Sequence, residues 1–146
     1  MSGKAKVTTV AVSPTCGGYG GRPKTVEVNI LPSGIGMHVN GIGARATKEI
    51  MLRVTSAMNA SGYSLPGTET VITLSPPPEN SRGILYYCLP IALALIKASG
   101  QEKLSIPSRK KICGVLSPEG EIEEPLAEQL RHGRTLKECI EEFKTK

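Results

Sequence analysis

The longest apolar stretch runs from Ile91 to Ala98, where every residue but Lys97 is apolar. A helix apolar on nearly all sides must be covered on most of them, so this segment predicts the centre of the core. Pro90 fits a first helical position: its fixed φ suits the helix and its missing N–H would have had no partner. Leu89, before the proline, is then expected outside the α region and Cys88 just outside the helix N-terminus. Gly100 supplies a left-handed stop. Ahead of this helix, Glu79 to Leu85 read as loop.

Strict alternation over Thr25 to Leu31 puts Val26, Val28 and Ile30 on one face and Thr25, Glu27 and Asn29 on the other, which predicts a half-buried strand. A β-branched run from Lys6 to Val12 predicts its hairpin partner. A short strand is expected over Ile35 to Val39 and another over Thr70 to Leu74, stopped by Pro76-Pro77-Pro78. Between them, Ala46, Ile50, Val54, Ala57 and Met58 recur at helical spacing across Ala44 to Ser61, with Gly62 as the stop. Beyond Pro107 a basic lead-in precedes a further strand and a hairpin turn at Ser117-Pro118-Glu119-Gly120. The final twenty residues read as two helical pieces, the first marked by Leu126 and Leu130 and broken at Gly133. The second is capped by Thr135, with Leu136, Cys139, Ile140 and Phe143 on one side. The order β-β-β-α-β-α-β-β-α predicts an α+β fold with a mixed sheet packed against two main helices.

Composition narrows this picture. The chain has 146 residues with 3% aromatic content and no Trp, so the core has to be aliphatic and stacking platforms for bases are scarce. One domain is the expectation at this length. Eighteen basic against thirteen acidic side chains, a net charge of +5, is a mild imbalance that serves solubility. Cys16, Cys88, Cys113 and Cys139 are widely spaced and form no metal-ligand pattern, so neither a zinc site nor a disulfide framework is expected. The N-terminal Met-Ser-Gly-Lys-Ala-Lys has no apolar signal core and no run is long enough to span a bilayer, which places the protein in the cytoplasm.

Glycine clusters invite a phosphate-loop reading, but the GGYGG segment between Ser13 and Pro23 is followed by a strand pattern rather than a helix. It reads as the hairpin connection. Glu119, Glu121, Glu123 and Glu124 alternate beside a turn, the mark of a solvated edge-strand face, and lack the Asp-rich spacing of a calcium loop. His38 has no partners at ligand spacing. No cofactor or metal is therefore expected. Arg22, Lys24, Arg45, Lys48, Arg53, Arg82, Arg109, Lys110 and Lys111 offer a basic surface, with Arg109-Lys110-Lys111 the candidate nucleic-acid contact; a solvated strand lead-in is the favoured reading of that run.

Four ordered blocks carry a resemblance. They are Val26-Glu-Val with Gly41-Ile42, Lys48-Glu49, Arg53-Val54 and Asn59-Ala-Ser-Gly-Tyr63; Val71-Ile-Thr-Leu-Ser-Pro76; LPIALALIKASGQ from Leu89 to Gln101; and Gly114-Val-Leu-Ser-Pro-Glu-Gly-Glu-Ile122. Over about residues 5 to 125 the chain resembles the N-terminal domain of magnesium-chelatase-like, competence-protein (ComM) AAA+ ATPases. The resemblance implies a ribosomal-protein-S5-domain-2 or Lon-protease-domain-like fold for residues 1–125, with residues 126–146 as a C-terminal helical extension. It also implies a role beside an ATPase module. No GxxxxGK[ST] occurs in the sequence, so ATP binding in the P-loop manner is not expected.

Two segments depart from the family. Gly41-Ile42-Gly43 replaces Gly-Leu-Pro at the first helix, and Ser81-Arg-Gly-Ile-Leu-Tyr-Tyr-Cys88 replaces an acidic, Gly-rich approach, so binding specificity is expected to differ there. Similarity to Lon-type proteases puts Cys88 at the register of their serine nucleophile, where a helix N-terminus lowers a thiol pKa. The lysine base that should follow the hairpin is missing from Glu121-Ile-Glu-Glu-Pro-Leu-Ala-Glu-Gln129. The reading is thus a non-catalytic accessory or protein-interaction domain, associating with itself or with a AAA+ ATPase and not with a membrane. Its alternatives are a Lon-like hydrolase using Cys88 and a salt-sensitive nucleic-acid-binding accessory.

Overall fold

The computed structural model describes residues 6–12, 24–75, 81–107, 110–123 and 134–145. Strands β1 (Lys6–Val12) and β2 (Lys24–Ile30) pair antiparallel with Val10 opposite Val26. On the other side of β2 lies β4 (Thr70–Ser75), again antiparallel, with Val26 opposite Leu74 and Val28 opposite Ile72. Strand β3 (Met37–Asn40) runs parallel to β4 at the edge, giving a mixed sheet of order β1-β2-β4-β3. In-register alternation therefore stacks Val10, Val26, Val28, Ile72 and Leu74 on one buried face. Thr9, Glu27, Thr73 and Asn40 form a row on the other.

Helix α1 (Ala44–Ala60) connects β3 to β4, the crossover that a parallel pair requires. It buries Ile50, Val54, Ala57 and Met58 as the periodicity predicts, while Ala46 is only half-buried. After β4 come a four-residue helix α2 (Ser81–Ile84), a 3₁₀ turn over Leu85–Tyr87, and helix α3 (Cys88–Ser99). Helix α3 lies across β1 and β2 with α1 on its opposite flank, which is why it is apolar on nearly every side, Lys97 and Ser99 excepted. Gly100 ends it at φ 78°.

The described chain then crosses to the sheet edge, where the Ile112 N–H donates to the Ala11 carbonyl at 3.1 Å beyond β1. Strands β5 (Val115–Leu116) and β6 (Ile122–Glu123) form a separate antiparallel hairpin. Helix α4 (Leu136–Phe143) closes the described chain, burying Leu136, Cys139, Ile140 and Phe143 against the common core. It is tied at both ends, through Leu136 N–H to Gly120 O at 2.7 Å and Ser105 N–H to Phe143 O at 2.8 Å. Its start is a capping box in which Glu138 N–H donates to Thr135 Oγ1 at 3.2 Å and Thr135 N–H to Glu138 Oε1 at 3.0 Å. Thr135→Ala is expected to cost about 1 kcal/mol in denaturant unfolding, with Thr135→Ser close to the parent.

Three expectations need correction. Leu89 is helical, and Cys88 (φ −55°, ψ −48°) is the first residue of α3 rather than a residue outside it. Pro90 is therefore third in the helix; its lack of an N–H costs nothing there either, because the whole first turn has no intrahelical acceptor. Residues 81–85, expected as loop, are helical and lead straight into α3. The third strand begins at Met37, and Ile35, placed in it by pattern, is 86% exposed in the preceding turn. The first C-terminal helical piece, around Leu126 and Leu130, lies outside the described residues, as does the GGYGG connection.

Candidate functional site

Two features come together around the start of α3. The first is Cys88. The 3₁₀ turn delivers it into a lid made by the β5 approach: Gly114 N–H donates to Tyr86 O and Leu89 N–H to Gly114 O, both at 2.9 Å. Gly114 has to be small for this, since a Cβ there would lie 3.0 Å from Ile122 Cγ2 and 3.2 Å from Leu89 Cδ2. The result is a fully buried thiol, 0% exposed.

Burial pushes that thiol up to about 11, against the pull of the Leu116 backbone N–H and the Arg53 guanidinium, with Glu49 adding to the rise. Desolvation wins because Arg53 is occupied: its Nη1 donates to Leu116 O at 3.3 Å and its Nε lies 3.4 Å from Glu49 Oε2. A thiol held near 11 is almost wholly protonated at neutral pH, and only the thiolate is a nucleophile. The charged groups acting on the sulfur are thus an arginine and a glutamate, neither arranged as a base. His38 sits elsewhere, exposed on β3 with Nε2 3.0 Å from Glu69 Oε2. His132 lies outside the described residues.

The sign of the pH effect follows. A folded-state pKa near 11 against 9.0 for the free thiol means the unfolded chain loses its proton first as pH rises. Stability is unaffected by Cys88 below about pH 9 and falls between about 9 and 11, by up to about 1.4 kcal/mol per pH unit. Tyr63, raised by burial and by Glu102, titrates in the same direction. Subtracting the pH–stability curve of Cys88→Ala isolates the thiol, and the variant's curve is expected to be flatter over that interval.

The second feature is a groove of about 420 Å³ between the α1 N-terminus and the α2–3₁₀ segment, lined by Gly43 to Ala46 and Glu49 on one side and Ile84 and Leu85 on the other. These are the two segments in which the sequence is expected to depart from the family it resembles. The apolar pair Ile84-Leu85 falls in a stretch whose sequence reads as loop, because the four residues of α2 carry too little periodicity to reveal a wall.

Among the described residues the candidate basic side chains are spread over α1, the start of β2 and the approach to β5. Arg53 turns inward to Leu116 O, and Lys24 is 7% exposed at the start of β2. Arg45 and Lys48 are exposed on α1, and Lys110 and Lys111 are exposed near the end of β1. Arg22 and Arg109 and the side chain of Arg82 lie outside the described residues. Glu119, Glu121 and Glu123 are exposed, and among the described residues no group of three or more His, Cys, Asp or Glu converges as a metal site.

Comparison with known proteins adds the following. The family described as subunit ChlI of Mg-chelatase matches residues 26–132. The Escherichia coli (strain K12) protein named uncharacterized protein YifB is 40% identical over 87 residues, which is 58% of this chain and 16% of that protein. Its Salmonella typhimurium (strain LT2) namesake is 36% identical over 106 residues, 70% of this chain and 20% of that protein. The chain thus spans a fifth or less of the curated relatives it matches. The resemblance drawn from the four sequence blocks is borne out, and helix α4 lies beyond the matched segment.

Proposed function

The chain belongs to the family of subunit ChlI of Mg-chelatase, and on that premise we propose that it works by association, as a non-catalytic accessory to a AAA+ ATPase, rather than by chemistry of its own. The observation that carries this reading is the sealed Cys88: where a hydrolase would present a thiolate, this domain holds a buried, protonated thiol under a hydrogen-bonded lid. The mixed sheet backed by α3 and then α1 is compatible with the S5-domain-2 and Lon-like fold, and we assign it there, with residues 1–125 as the module and residues 126–146 as its extension. Cys88, Cys113 and Cys139 are buried thiols outside any disulfide among the described residues, which suits a reducing compartment, and we place the protein in the cytoplasm. Among the described residues no helix is long and apolar enough to cross a membrane.

Binding to a purified magnesium-chelatase-like ATPase module, followed by the module's ATP turnover, tests this. The expected result is a complex whose affinity is the same for Cys88→Ala and Cys88→Ser as for the parent. Peptide or ester hydrolysis by the parent, lost in both variants, would overturn the reading.

A further inference from the structure

The groove at the start of α1 has a complement on the far side of the same molecule. Its walls present Ala46, Ile84 and Leu85, and Arg45 stands in its lining with Lys48 one turn along. Glu49, the acid in the lining, is offset by Arg53 at 3.4 Å. The α1 first turn holds no acidic residue, so nothing on the helix neutralises the positive end of its dipole. Arg45 and Lys48 are both exposed and make no ion pair among the described residues.

The β5–β6 turn has the opposite character. Pro118, Glu119 and Glu121 are exposed, and neither carboxylate is in an ion pair among the described residues. The turn is anchored by the other end of α1: a Cβ on Gly120 would lie 3.2 Å from Ser61 Oγ and 3.5 Å from Ala57 O. Along α1 the turn's contacts, Ala57 and Ser61, lie twelve and sixteen residues beyond Arg45 and nine and thirteen beyond Lys48, a rise of about 14–24 Å at 1.5 Å per residue. That is roughly two to three Debye lengths at physiological salt, so screening leaves the two charges largely unsatisfied within one chain.

We propose that a second copy of this chain satisfies them: the Pro118 ring of one protomer seats against Ala46, Ile84 and Leu85 of the next, with Glu119 and Glu121 on Arg45 and Lys48. The contact is heterologous, each copy carrying one turn and one groove, so it propagates head to tail. It rests on the association reading above and names self-association as one of its forms.

Sedimentation velocity of the full chain across the micromolar range, at low and high salt, tests it. The parent is expected to grow with concentration at low salt and to remain monomeric at high salt. Arg45→Glu with Lys48→Glu, and separately Glu119→Lys with Glu121→Lys, are each expected to weaken assembly at least about tenfold. Mixed, the two variants complement each other at both contacts, the parental turn of one on the parental groove of the other and the reversed turn on the reversed groove, and are expected to recover assembly as alternating copies. Circular dichroism confirms that each is folded, and the milder Arg45→Gln with Lys48→Gln, or Glu119→Gln with Glu121→Gln, replaces the corresponding variant that is not. A parent monomeric at every concentration, folded variants that assemble like the parent, or a mixture that stays monomeric would each overturn the contact. If the monomeric chain still binds the ATPase module, the head-to-tail contact falls and the association reading stands; if binding fails too, both fall.

Discussion

Leu93→Ala is expected to lower the unfolding free energy by about 3 kcal/mol, within the range of about 2–5 kcal/mol for truncating a buried leucine, and to drop Tm by about 10 °C. Leu93 is 0% exposed in the middle of α3, with the sheet on one side and α1 on the other. Neither layer is free to close on the space left behind, because each is braced by its own neighbours: β2 by strands on both sides, and α1 by α2 and β5 as well as α3. The cavity term therefore adds to the lost transfer energy. Leu52→Ala, the same chemical change at a residue 61% exposed on α1, is expected within about 0.5 kcal/mol of the parent. Thermal and urea unfolding of the pair measure the difference directly.

Gly114→Ala is the second large effect, expected to cost about 1–3 kcal/mol. The added methyl meets Ile122 Cγ2 at 3.0 Å and both Cδ2 and Cβ of Leu89, at 3.2 and 3.4 Å. A retreat of the backbone would stretch two hydrogen bonds of 2.9 Å that fasten the β5 approach to Tyr86 and Leu89. Strain is thus forced either on the start of α3 or on the hairpin, and both roof the Cys88 thiol. Gly67→Ala, with nothing within 4 Å of the new methyl, is expected to leave stability within about 0.5 kcal/mol. Faster thiol labelling in Gly114→Ala than in Gly67→Ala is the accompanying sign that the roof has loosened.

What could be read from residues alone was whatever one periodicity governs. Alternation over Thr25 to Leu31 predicts β2 and its buried face, and helical spacing over Ala44 to Ser61 predicts α1, four of whose five apolar positions are buried. The uniform apolarity of Ile91 to Ala98 announced a helix covered on several sides. Thr135 as a cap, with Leu136, Cys139, Ile140 and Phe143 on one side, announces α4. The four blocks announced the family.

The site was less legible, because its parts are brought together by contacts between segments distant in sequence. Arg53 reads as an exposed helix cation, yet it reaches Leu116 O sixty-three residues on. Proline rules put Leu89 outside the helix, but Leu89 N–H is held by Gly114 O, and that tertiary bond fixes a helical start the local preference opposes. Residues 81–87 form one short helix and one 3₁₀ turn, too brief for any pattern to show. Ile35 lies in a chain segment where a four-residue strand begins two residues later than its apolar pattern suggests.

The sharpest test of the account is the alkylation rate of Cys88 in the native chain as a function of pH, read by mass spectrometry of the peptide that contains it. The folded protein is expected to stay unlabelled at neutral pH, labelling to keep pace with unfolding in added denaturant, and native-state labelling to rise only toward pH 11. Rapid labelling of folded protein, with a midpoint below the ordinary thiol value of about 8.5, would show an open and activated sulfur and contradict it.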